Sequence, residues 1–140
     1  MKKILVVLVL FLIMISGANQ QQQFTLLDYF SGSYTVYTKN SVNENSVNLG
    51  FCYMNNFQVE TQDVEGESVK IENFEPSQAI RVLDAKVIET EYLDNGMVVI
   101  YAYTSLIKER VKLGQKHVNL QIAHCDDYTI IGWPLILGGF

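Results

Sequence analysis

The chain opens with an unbroken apolar run of 12 residues, Ile4 to Ile15, preceded by Lys2 and Lys3 and followed by Ser16-Gly17-Ala18. A positive start, a short apolar stretch and small residues are the three parts of a secretory signal. The run is shorter than the ~20 residues that a membrane-spanning helix needs. Cleavage after Ala18 is therefore expected, with an uncleaved anchor as the alternative. No cysteine follows the run, which argues against a lipoprotein anchor. Residues 19–30 then read as a flexible polar lead-in, Gln20 to Gln23, and a short apolar segment, Phe24 to Phe30 (FTLLDYF), with one or two helical turns to pack at the domain edge.

From residue 31 onward the pattern is that of one α+β domain, residues 31–140. Ser33 to Lys39 is rich in Thr, Tyr and Val, which suit a pleated surface. Asn40 to Asn48 is a loop by composition. Val47 to Met54 and Phe57 to Gln62 are strand candidates, Glu65-Gly66-Glu67 reads as a turn, and Val69 to Ile71 as a short strand. Residues 74–85 predict a helix. Pro76 fits its first position, Phe74 can fold back as a staple, and Ala79, Ile80, Val82 and Leu83 recur at helical spacing.

Lys86 to Leu93 and Met97 to Thr104 flank Asp94-Asn95-Gly96, a strong hairpin signal. A three-residue loop sets Leu93 opposite Met97, Tyr92 opposite Val98 and Thr90 opposite Ile100. Ile88, Thr90, Tyr92, Val98, Ile100 and Ala102 then share one largely apolar face, while Glu89, Glu91, Val99, Tyr101 and Tyr103 share the other. A two-residue loop would set Glu89 and Glu91 beside Val98 and Ile100, so burial selects the longer loop. Ser105 to Leu113 fits either a two-turn helix or the first arm of a second hairpin turning at Gly114-Gln115. Val118 to His124 alternates as a strand, Cys125-Asp126-Asp127 turns, and Tyr128 to Trp133 is a final strand that Pro134 stops.

The segments Asp84 to Glu89, Ile100 to Thr104 and Val118 to Ala123 (VNLQIA), with the ending Ile131-Gly132-Trp133-Pro134-Leu135-Ile136, resemble the C-terminal part of the YwmB-like family. These are exported proteins of spore-forming Firmicutes whose function is not established. The likeness covers roughly residues 74–140 and implies a TATA-box-binding-protein-like fold: a curved antiparallel sheet with one or two helices packed on one face. It carries over no active site. The chain is much shorter than a typical member, and residues 19–73 do not align.

Composition narrows the function. The 140 residues suffice for one domain, and 49% apolar against 18% charged is an ordinary globular balance. Without residues 1–18 the chain carries 8 Lys+Arg against 15 Asp+Glu, a net charge of -7, with no basic cluster. Such a surface is repelled by nucleic acid and anionic lipid. Nucleic acid is not an expected partner, and membrane contact is expected only through an uncleaved signal segment.

Candidate chemistry is sparse. Cys52 and Cys125 form a candidate disulfide in an exported chain, closing a 73-residue span worth up to about 4 kcal/mol; the alternative is two buried free thiols. His117 and His124, seven apart on a strand, point to opposite faces, so joint metal ligation with Asp126 and Asp127 is not expected. Cys125 beside His124 matches no nucleophile motif. Glu89 and Glu91 could serve as a carboxylate pair or as a solvated strand face. No cofactor is implied. The feature that favours binding is the face of Glu89, Glu91, Tyr101 and Tyr103, extended by Asn119 and Gln121 if a third strand continues the sheet; tyrosines beside polar groups typify partner surfaces. The expectation is a non-enzymatic extracytoplasmic domain that binds an envelope protein or component. The alternatives are a cell-wall hydrolase using unrecognised carboxylates, and a structural subunit of an envelope or spore assembly. The apolar ending Leu135 to Phe140 is expected to pack on the sheet.

Overall fold

The computed structural model describes residues 23–38, 46–48, 64–137 and 139. Among these residues nine strands follow in chain order: β1 (Ser33–Thr38), β2 (Ser46–Asn48), β3 (Val64–Glu72), β4 (Lys86–Tyr92), β5 (Val98–Tyr103), β6 (Val111–Leu113), β7 (Lys116–Val118), β8 (Leu120–Cys125) and β9 (Tyr128–Trp133). A 3-10 turn spans Leu26–Asp28, and helix α1 (Pro76–Val82) joins β3 to β4. Seven strands form one antiparallel sheet in the order β2-β1-β3-β9-β8-β5-β4, and β6 and β7 form a separate hairpin. The fold is therefore α+β, an antiparallel sheet with one α-helix among the described residues.

Alternation along the strands builds two cores. On one face Tyr34, Val36, Val69, Ala102, Leu120, Ile122, Ile131 and Trp133 pack with Leu26, Phe30, Ala79, Leu83 and Ile107. The opposite face holds a smaller cluster of Met97, Val99, Ala123 and Ile136. Helix α1 lies on the first face. The Glu75 N–H donates to Gln78 Oε1 at 3.1 Å, satisfying one group at its start. Phe74 meets Phe30 edge-on, ring centroids 5.8 Å apart. Seven residues are too few for intrinsic helix stability. Burial of Ala79 and Leu83 holds α1 down, Leu83 alone contributing roughly 2 kcal/mol. Val82, expected on the apolar face, is exposed.

The β4–β5 register is the expected one, with Tyr92 opposite Val98 and Thr90 opposite Ile100. Leu93 N–H donates to Met97 O, and Gly96 takes φ +82°, the left-handed position of a three-residue loop. A bulge between Val87 and Glu89 shifts the pairing, so Val87, and not Ile88, opposes Ala102. The apolar β4 face is not core: Tyr92 is 77% exposed, because β4 is the last strand of the sheet and α1 reaches only its neighbours' core. Ser105 to Leu113 is not a helix; β6 and β7 form the second hairpin, with Gly114 at φ +61°.

Glu65-Gly66-Glu67 is not a turn. It lies inside the nine-residue strand β3, between β1 and β9. Local composition loses there to two tertiary demands. A Cβ on Gly66 would stand 2.5 Å from Trp133 O, so only glycine admits β9 at that spacing. Glu67 is buried because its carboxylate has internal donors, described below. Val47–Asn48 fall in β2; the rest of the two strand candidates at 47–54 and 57–62, together with the signal segment and Gln20 to Gln22, lie outside the described residues.

Candidate functional site

The β4–β5–β8 face is built by register. Glu89 opposes Tyr101, which opposes Gln121; Glu91 opposes Val99; Lys86 opposes Tyr103. Tyr101 Oη donates to Glu91 Oε2 at 3.4 Å. Burial, then the nearby Glu91 charge, raises the Tyr101 pKa, against a lowering hydrogen bond from Gln121. The hydroxyl thus stays protonated at neutral pH and can donate. Glu89 and Glu91 are exposed, and Tyr101 and Tyr103 half-buried.

Two residues expected on this face serve the interior. Asn119 falls between β7 and β8 and interrupts the strand expected over Val118 to His124. Its side chain is fully buried: Nδ2 donates to Thr104 O and Ile107 O, each at 2.8 Å, and Oδ1 accepts from Thr104 N–H. It pins the loop after β5. Gln121 is on the face but covered, its Oε1 accepting the Ile136 N–H at 2.8 Å. Ile136 lies over Met97, Val99 and Ala123, as expected of the apolar ending, while Leu137 is exposed. The available surface is Glu89, Glu91, Tyr101 and Tyr103.

The other candidates separate. His117 is exposed on β7, while His124 Nδ1 meets Thr129 Oγ1 at 2.8 Å. Thr129 Oγ1 donates to Phe74 O, which leaves it to accept from the imidazole. Among the described residues no group of three or more His, Cys, Asp or Glu is placed to hold a metal. Cys125 is a half-buried free thiol, and its partner in the expected disulfide, Cys52, lies outside the described residues. A hydrogen bond to Cys125 is the leading cause that raises the Tyr128 pKa, ahead of burial. Cys125 and His124 thus engage different partners.

Sequence reasoning missed a buried polar cluster around Glu67. Glu67 Oε2 accepts from Trp133 Nε1 and from the Leu26 N–H, both at 2.8 Å. Tyr34 Oη meets Thr25 Oγ1 at 3.0 Å. Burial, and then the Glu67 charge, raises the Tyr34 pKa far above its ordinary value. Extending the alternation of Ile71 and Val69 back by two places Glu67 inward, and the single tryptophan needs a partner for its N–H. The cluster ties the N-terminal segment to β3 and β9, and Oε2 is spent on internal donors.

No family model, curated protein or solved structure matches this chain. The likeness to the YwmB-like family rests on the quoted residues alone.

Two cavities of about 290 and 370 Å³ flank Lys70, whose Nζ stands 3.9 Å from the Tyr128 ring centroid. Small-molecule sites are ~300–1,000 Å³ and mainly apolar. Here Ile71 is the one aliphatic side chain in the lining, beside the charged Lys70, Glu72 and Asp127, so these are surface hollows of mixed character.

Proposed function

We propose that this chain is an exported interaction domain that binds a protein or other component of the cell envelope through the β4–β5 face. The observation that carries the reading is the juxtaposition of Glu89 and Glu91, exposed, with Tyr101 and Tyr103, half-buried, Tyr101 packing on the Met97–Val99–Ala123–Ile136 cluster. Tyrosines held in place cost little entropy on binding, and flanking carboxylates give the surface a sign. The tripartite start Lys2 to Ala18 supports export, and the acidic balance of the remainder disfavours nucleic acid.

Immobilised protein exposed to envelope extract tests the reading. The wild type is expected to hold a specific component. Tyr101→Ser with Tyr103→Ser should lose it, and so should Glu89→Gln with Glu91→Gln, whose exposed positions leave folding untouched. Retention by both variants, or nothing held by the wild type in extract or in cross-linked cells, would overturn the binding face. An uncleaved chain recovered from the cytoplasm, with no form beginning at Asn19, would overturn export.

A further inference from the structure

We propose that the free edge of β4 takes up an extended, antiparallel peptide segment carrying Lys or Arg at alternate positions, which becomes an eighth strand of the seven-stranded sheet. The inference rests on the binding reading above and gives the partner its chemistry. Among the described residues β4 pairs with β5 alone, and it ends the sheet. Every residue of β4 except Ile88 is exposed, so the other described residues do not cover it.

The direction of its backbone groups follows from one bond. Leu93 N–H donates to Met97 O at 2.9 Å, so Leu93 and Met97 are a hydrogen-bonded pair. Pairs of that type alternate along an antiparallel ladder. Glu91 and Glu89 therefore turn their N–H and C=O towards β5, and Thr90 and Tyr92 turn theirs outward. An incoming strand bonds to Thr90 and Tyr92. Its residues opposite Glu89 and Glu91 then occupy non-hydrogen-bonded positions, where Cα atoms approach to about 4.5 Å and side chains lie closest. The bulge between Val87 and Glu89 limits the regular edge to Glu89–Tyr92.

Charge decides the occupant. A second copy pairing β4 with β4 about a two-fold axis would set the Glu89–Glu91 row against its own repeat, and like charges directly opposed are destabilising. The edge is thus closed to self-association, one way in which natural sheets guard their margins. A basic residue opposite each glutamate reverses the sign. On the other face the exposed Thr90, between the two glutamates, and the Tyr92 ring beyond them favour β-branched or apolar residues. This is strand addition, in which the main chain gives affinity and alternate side chains give specificity.

The test uses the purified protein and end-blocked hexapeptides. Alternating Lys and Val should bind, shifting the amide signals of Thr90 and Tyr92. Three Lys followed by three Val, the same composition without the alternation, should bind about tenfold more weakly or worse. Thr90→Pro removes an outward N–H without touching the β4–β5 ladder and should weaken the alternating peptide by a similar factor. Glu89→Lys with Glu91→Lys should transfer the preference to alternating Glu and Val. Equal binding of the blocked-order peptide, or an unchanged preference after charge reversal, would overturn strand addition. A concentration-dependent dimer abolished by Thr90→Pro would assign the edge to a second copy and overturn the basic partner. If Thr90→Pro keeps an envelope component that the tyrosine variant loses, the edge proposal fails and the face stands.

Discussion

Glu67 and Trp133 illustrate how much one residue pair can settle. Glu67 Oε2 is the partner of two buried donors, Trp133 Nε1 and the Leu26 N–H. A buried donor stripped of its acceptor costs about 1–3 kcal/mol, so Glu67→Ala, which strands both, should lower unfolding free energy by about 3 kcal/mol or more. Trp133→Phe removes one of those donors along with the indole volume. The two losses should not add: the double variant is expected to recover about 1 kcal/mol relative to their sum, because the second donor is no longer there to be stranded. Urea unfolding of the four proteins measures this coupling. Strict additivity would mean that the carboxylate does not serve the indole.

At the scale of elements, what was legible in the sequence was whatever depended on neighbours in the chain. The β4–β5 register follows from Asp94-Asn95-Gly96 and the alternation on either side. Helix α1 follows from Pro76 and the spacing of Ala79 and Leu83. What was not legible depended on strands far away. Glu65-Gly66-Glu67 has turn composition, and only β9, more than 60 residues later, makes it strand. Asn119 has the alternation of a strand residue, and only the carbonyls of Thr104 and Ile107 draw it inward. Of the expected face, the four residues on β4 and β5 stand together, while Gln121 is covered by Ile136, a contact that no local pattern announces. Two glycines separate these cases experimentally. Gly96 needs a left-handed φ and has open space around it, so Gly96→Ala should cost about 1 kcal/mol, all of it backbone strain. Gly66 has an unexceptional φ but faces Trp133 O, so Gly66→Ala must push β3 from β9 and should cost about 1–3 kcal/mol as overpacking. Thermal unfolding of the two variants checks the order. A smaller loss at Gly66 would mean that the β3–β9 pairing is looser than its geometry.

The molecule as a whole is closed by its last strand. β9 lies between β3 and β8, so β1 to β3 and the β4–β5–β8 group meet only through Tyr128–Trp133 within the sheet. Tyrosines recur around this seam and on the β4–β5 face, and Tyr34, Tyr101 and Tyr128 all have raised pKa values. For Tyr34 the first cause is burial and the second the Glu67 charge. The unfolded chain releases a tyrosine proton near pH 10, whereas folded Tyr34 holds it. A group raised in the folded state contributes stability that is fully present below the unfolded pKa and is lost as pH climbs above it. Stability should therefore show no Tyr34 contribution to its slope up to about pH 10, and fall beyond it by about 1.4 kcal/mol per pH unit for this one proton. Tyr34→Phe cannot ionise. It should be less stable than wild type at pH 8, having lost the hydrogen bond with Thr25, yet its alkaline decline should be shallower, so the two curves converge as pH rises. Urea midpoints between pH 8 and 11 measure both effects. Parallel curves would mean that Tyr34 ionises in place, and that the Glu67 cluster admits water when the rest of the sheet is still folded.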